Sequence, residues 1–127
     1  MIIDKNYMIV CAVFIILVLI AFYFYSRREN FENDTGNKLI LFHVGWCGHC
    51  KRFKPIWDKF AKKINGMNSS VKCYSEDCEK NKNICNKYGI TGYPTIKLIK
   101  ANGDIVNYKG SRTEADLMEF LRNEIYI

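Results

Sequence analysis

Residues 39–54 read LILFHVGWCGHCKRFK, and two features of this stretch set the architecture. Leu39 to Gly45 is an apolar run of strand length. From Cys47 to about Asn65 the apolar residues Phe53, Ile56, Trp57, Phe60 and Ile64 recur at helical spacing on one face. Cys47-Gly48-His49-Cys50 therefore falls between a strand and the helix that follows it. A thiol at a helix amino terminus faces unpaired backbone N–H groups and the positive end of the helix dipole, which favour the thiolate. The second cysteine, one turn in, lies close enough to close a disulfide with the first. Cys47 is thus the natural nucleophile and Cys50 the resolving thiol of a pair that exchanges through a mixed disulfide.

A lone C-x-x-C admits other uses. Zinc requires about four ligands; the further candidates are His43, His49, Cys73, Cys78 and Cys85, and no second C-x-x-C exists. Haem attachment requires histidine directly after the second cysteine, where Lys51 stands. A purely structural disulfide at the junction stays open beside the favoured redox use, which calls for no metal and no cofactor.

Downstream, Val71 to Ser75 reads as a second strand and Lys80 to Tyr88 as a short helix closed by Gly89. Thr95 to Lys100 and Ile105 to Tyr108 are strands joined by the hairpin signal Asn102-Gly103. Thr113 with Asp116 resembles a capping box ahead of a last helix whose apolar face is Leu117, Phe120, Leu121 and Ile125. Strand, helix, strand, helix, strand, strand, helix predicts an α/β domain with a mixed four-stranded sheet and helices on its faces.

Upstream the composition changes. The chain has 127 residues, 49% of them hydrophobic, and Tyr7 to Tyr25 is a run of 19 without a charge, an amide or a glycine. As a helix that run spans about 28 Å, close to the roughly 30 Å hydrocarbon core of a bilayer. Aromatics cluster at its ends and Arg27 and Arg28 follow, as at a membrane interface. A cleaved secretory signal is the competing reading, but bulky aromatics stand where small residues would precede a cut. The expected organisation is a tail over 1–6, a transmembrane helix over 7–25, a polar linker over 26–37 and a soluble domain over 38–127. Counting flanking lysines and arginines mildly favours a cytosolic domain.

Trp46-Cys47-Gly48-His49-Cys50-Lys51, then Pro55, then Lys87 through Lys97 with Tyr93-Pro94-Thr95, closely resemble a catalytic domain of the protein disulfide isomerase branch of the thioredoxin superfamily. Tyr108, Gly110 and Arg112 fit the same pattern. The resemblance covers Lys38 to about Glu124 and implies a thioredoxin-like fold in its minimal form, because the strand and helix that relatives carry ahead of the first strand are not found between the linker and Leu39. A more open sheet edge follows. It also implies a cis Pro94 against the active site, Tyr93 and Pro94 shaping a substrate groove, and an Arg112 that assists deprotonation of Cys50. Gly48-His49 is the middle pair of oxidising and isomerising members; His49 is expected to stabilise the Cys47 thiolate, with a solvated, inert side chain as the alternative.

Relatives bury an acid six positions before the nucleophile and often pair it with a lysine on the next strand. Leu41 and Ser75 stand at those positions, so both charges are absent, which removes a pair rather than orphaning one partner. His43, on the same strand face as Leu41, is a candidate substitute proton acceptor; a ring filling an aromatic slot is the plainer reading. The resemblance further implies a structural disulfide between Cys78 and Cys85, with a buried free thiol at Cys85 as the alternative. That disulfide argues for an oxidising compartment and places the domain on the lumenal side, such as that of the endoplasmic reticulum, against the charge count. Cys73 and Cys11 are expected bystanders.

Residues 38–127 hold 16 Lys and Arg against 9 Asp and Glu, yet the basic residues are scattered along a solvated helix face and no nucleic-acid motif accompanies them. The expected activity is membrane-anchored thiol-disulfide exchange on cysteine-containing client proteins, with glutathione or an upstream thiol oxidase as candidate redox partners. A non-catalytic client-binding module and a cytosol-facing reductase of thioredoxin type are the rivals.

Overall fold

The computed structural model describes residues 2–26 and 31–125. Arg27 and Arg28 at the membrane flank, part of the expected linker and the last two residues of the expected domain lie outside the described residues. The chain divides into an N-terminal unit and a domain that begins at Glu32, each described by itself.

In the first unit, α1 (Lys5–Ser26) is a 22-residue helix with no buried residue. At about 1.5 Å per residue it is about 33 Å long, and it is long and apolar enough to cross a membrane. It starts inside the expected tail, where the Asp4 carboxylate accepts from the Asn6 N–H at 3.4 Å.

The domain contains β1 (Asn37–His43), α2 (Gly48–Gly66), β2 (Val71–Asp77), α3 (Lys82–Lys87), β3 (Thr95–Ile99), β4 (Ile105–Asn107) and α4 (Glu114–Ile125). The sheet order is β2-β1-β3-β4, with β1 parallel to β2 and antiparallel to β3. This is the mixed four-stranded arrangement expected from the element order. Because β1 is central, both its faces are covered, which is why Leu39 to Phe42 is a continuous apolar run rather than an alternation. Leu39 and Leu41 join Phe53, Trp57, Phe60 and Ile64 of α2, Val71 and Cys73 of β2, Ile96 and Leu98 of β3, and Leu117 and Leu121 of α4 in one core. From the opposite face of β1, Phe42 meets Tyr88 with ring centroids 5.7 Å apart.

The boundaries differ from the expectation in instructive ways. β1 ends at His43, and the Gly45 N–H turns away to the Glu79 carboxylate at 3.2 Å. β2 runs two residues further than expected because its parallel pairing continues to His43 opposite Asp77. Asp77 then holds the next four residues in a turn, accepting from Lys80 and Asn81 through its carbonyl and from Glu79 through its side chain, so α3 begins only at Lys82. Gly89 closes that helix at φ +64°, a conformation that costs glycine least. The capping box of α4 is formed, with the Asp116 N–H donating to Thr113 Oγ1 at 3.2 Å and Thr113 Oγ1 donating to the Asp116 carboxylate at 2.8 Å. Ile56 departs from the expected core stripe and is 37% exposed.

The described part of the expected linker touches the domain. Glu32 pairs with Lys87 at 2.9 Å, Asp34 accepts from Tyr74 Oη at 2.7 Å, and the buried Lys38 ammonium donates to the Asp34 carbonyl at 2.6 Å. Three polar contacts thus hold the segment before β1 to the domain. The outer edge of β2 is occupied as well. The Asn65 side chain donates to the Cys73 carbonyl at 2.9 Å and accepts from the Cys73 N–H at 2.7 Å, as a neighbouring strand would. Ser69 Oγ takes the Val71 carbonyl at 2.8 Å.

Candidate active site

α2 begins at Gly48, which makes Cys47 its N-cap residue, in extended conformation at φ −79° and ψ 119°. An N-cap side chain accepts from the backbone N–H groups of the first turn, and here the acceptor is sulfur: Cys47 Sγ receives the Cys50 N–H at 3.3 Å. The Cys50 thiol and this N–H, together with the His49 N–H and the Arg112 charge, hold the Cys47 pKa below its ordinary value. Cys50 moves the opposite way, pushed up by burial and by its donation to Cys47. Cys47 is 8% exposed and Cys50 3%, and the shifts favour the thiolate at the outer sulfur and the thiol at the inner one. Burial and hydrogen-bond direction produce this asymmetry from two identical side chains.

The loop before β3 closes over the same sulfur. Tyr93-Pro94 is a cis peptide, and Cys47 Sγ lies 3.7 Å from the Tyr93 carbonyl. The Tyr93 ring meets Trp46 edge-on at 6.1 Å, and Trp46, 68% exposed, forms an aromatic lip beside the thiol. A groove lined by Pro94, Thr95, Ile96, Asn107, Tyr108 and Arg112 continues from there. Tyr108 Oη donates to the Ser111 carbonyl, and a Cβ on Gly110 would stand 2.6 Å from that hydroxyl oxygen. Glycine there lets the ring lie flat against the turn that presents Arg112.

The structure thus brings Trp46, Cys47, Gly48, His49, Cys50, Tyr93, Pro94 and Arg112 to one end of the sheet. The His49 contribution to the thiolate is its backbone N–H; its ring Nδ1 lies 3.0 Å from Arg52 Nη2. His43 is half-buried and its pKa is lowered, chiefly by burial and then by Lys54; the other charges acting on it are Asp77, Asp58 and Lys80, with neither active-site thiol among them. Leu41 is fully buried and pairs in register with Ser75, so the positions where relatives carry acid and lysine are neighbours here without a charge on either. Cys78 and Cys85 are joined in a disulfide between the end of β2 and α3. Cys73 is a free thiol in the core. Among the described residues no group of histidines, cysteines and carboxylates is placed to hold a metal ion.

Two residues the sequence reading did not assign to the site also belong here. Arg52 and Ile56 line a cleft of about 190 Å³ with His49, Phe53 and Arg112, beside the first turn of α2. Their spacing from His49, three and then four residues along one helix face, was the available signal.

The family model described as Thioredoxin matches residues 21–123. The chain is 41% identical over 96 residues to protein disulfide-isomerase TMX3 of Homo sapiens, covering 75% of this chain and 20% of that protein. It is 36% identical over 91 residues to the thioredoxin domain-containing protein 5 homolog of Drosophila melanogaster, covering 71% and 22%. Among solved structures, the first thioredoxin domain of mouse protein disulfide-isomerase A4 matches with a TM-score of 0.64 and 34% identity, over 75% of this chain and 67% of that one. The chain spans about a fifth of the length of the curated relatives it matches.

Proposed function

The chain belongs to the thioredoxin family, and from that premise we propose that it is a thiol-disulfide oxidoreductase of the disulfide isomerase type, anchored by α1 and acting on cysteine-containing client proteins. The observation that carries the reading is the opposed pair of thiols at the start of α2, the outer one favoured as thiolate beside a cis-proline loop, the inner one more deeply buried and favoured as thiol. In the reducing direction the Cys47 thiolate attacks a client disulfide and releases one client thiolate. Cys50 then loses its proton and attacks the Cys47 sulfur, freeing the second client thiolate and leaving Cys47 and Cys50 oxidised. In the oxidising direction a client thiolate attacks Cys47 in the disulfide, Cys50 leaves, and a second client thiolate expels Cys47, whose low pKa makes it a good leaving group. Arg112 favours the thiolate of each cysteine in turn. Trp46, Tyr93 and Pro94 shape the client groove, and glutathione or an upstream thiol oxidase completes the cycle.

The Cys78–Cys85 disulfide supports an oxidising compartment and hence the lumenal side of the membrane, and the Gly48-His49 pair supports oxidation and isomerisation over reduction. The full-length chain with Cys50→Ala should accumulate client mixed disulfides that Cys47→Ala abolishes, and a glycosylation tag in the domain should be modified. Equal client binding with both cysteines replaced would favour a holding module instead. One observation favours that second reading: the uncharged Leu41 and Ser75 pair, which removes the buried acid that helps relatives release the resolving thiol's proton.

A further inference from the structure

On the reading that Cys47 and Cys50 exchange disulfides, we propose that the cleft of His49, Arg52, Phe53, Ile56 and Arg112 is a carboxylate-reading subsite. It selects thiols and disulfides that carry an acidic group beside the reacting cysteine. Three observations lead there. The first is charge: among the described residues neither Arg52 nor Arg112 forms an ion pair, and, unlike the other unpaired basic residues such as Lys51, Lys62 and Arg122, these two meet at one cleft. Two guanidiniums without a counter-charge line one cleft of about 190 Å³. Guanidinium is the donor whose planar fork matches a carboxylate.

The second observation is position. Arg52 folds back over the first turn of α2, with Nη1 3.9 Å from where a Cβ on Gly48 would stand and Nη2 3.0 Å from His49 Nδ1. Arginine only donates, so His49 accepts and steers the fork toward the active-site end of the helix. Arg112 lines both this cleft and the groove beside Pro94, and its charge acts on both thiols. The third is the apolar wall: Ile56, displaced from the core, stands 37% exposed beside buried Phe53. The cleft therefore fits a short peptide backbone ending in a carboxylate rather than an inorganic anion.

Glutathione, with a carboxylate on each side of its cysteine, and a client cysteine flanked by Asp or Glu present the same chemistry. In the glutathione case its thiolate attacks the Cys47 sulfur of the oxidised pair, the S–S bond breaks, and Cys50 leaves and takes a proton. A second glutathione thiolate attacks the glutathione sulfur of the mixed disulfide and expels the Cys47 thiolate. Two glutathiones are oxidised to one glutathione disulfide as the protein disulfide is reduced. Carboxylates held by Arg52 and Arg112 would position each attack.

The test uses the full-length oxidised chain in uncharged detergent. Its reduction by glutathione is compared with reduction by glutathione diethyl ester, and by peptides with Glu next to cysteine against the same peptides with Gln. The wild-type preference for the acidic member is expected to be about fivefold at low salt, the scale of one or two half-exposed charge pairs. Arg52→Gln should remove most of it, leaving only the share that Arg112 supplies, while Lys62→Gln, the same charge change on the exposed far end of α2, should leave it intact. A role of Arg52 in thiolate tuning alone would slow both members equally and leave the ratio unchanged, which overturns the proposal. So would a ratio that Lys62→Gln removes as well, since that is the general positive field. A preference confined to glutathione assigns the cleft to the small thiol, and one confined to peptides assigns it to clients. Failure of every thiol to react would overturn the redox reading itself, and the proposal with it.

Discussion

At the scale of single residues, the active site is a contrast between two sulfurs separated by one helical turn. Cys47 receives hydrogen bonds from the Cys50 thiol and, as the N-cap, from the Cys50 N–H, so its pKa lies below 9.0. The stability this lends the reduced form is complete above the unfolded pKa and is lost as pH falls through the folded one. Cys50, raised by burial, acts in the opposite sense: its contribution is present below pH 9.0 and is lost as pH rises. Arg112 is the side-chain charge common to both. Arg112→Gln should therefore move the midpoint of Cys47 alkylation by iodoacetamide to higher pH and slow the release of Cys50→Ala-sensitive mixed disulfides; an unmoved midpoint would remove Arg112 from the site. The cysteine pair and Pro94 were legible because motif and context agree. Arg52 was not, since a basic residue on a basic helix face carries no mark of its direction until the fold turns it back over Gly48.

At the scale of elements, every strand and α-helix of the domain could be read from period and punctuation, while the short 3-10 helix Phe31–Asn33 could not, and the errors fell where tertiary contacts set the ends. Parallel pairing drew β2 out to Asp77, and the turn that Asp77 caps delayed α3. The Glu32, Asp34 and Lys38 contacts turned part of a polar linker into domain, which composition could not reveal because the same residues suit either. A six-residue helix such as α3 has little intrinsic stability, so its tie to β2 matters. The Cys78–Cys85 bond spans a separation of 7 residues, and closing so short a loop contributes about 2.5 kcal/mol on the chain-entropy account. Replacing both cysteines by alanine should lower the thermal midpoint of the domain by roughly 10–20 °C, read by circular dichroism of the sheet, without abolishing Cys47 alkylation. A shift of only a few degrees would show that the strand and helix hold each other unaided.

At the scale of the whole molecule, the core also contains a titrating group outside the active site. Burial pushes the Cys73 thiol up to about 12, so the folded domain keeps it protonated while the unfolded chain ionises it from about pH 9 upward. Stability from this source is complete below pH 9 and falls as pH rises, by about 2 kcal/mol between about pH 9 and pH 10.5. Cys73→Ala should flatten that part of the alkaline slope in urea titrations; an identical slope would place the loss elsewhere. The backbone of the same residue has a different consequence. A sheet that ends in an unoccupied strand is a template for any extended chain. With Asn65 filling both positions at Cys73 and Ser69 taking the Val71 carbonyl, the outer border of β2 offers no unbroken ladder. An extended segment that meets this border finds the Val71 carbonyl and both backbone groups of Cys73 already taken, so strand pairing cannot run through these positions.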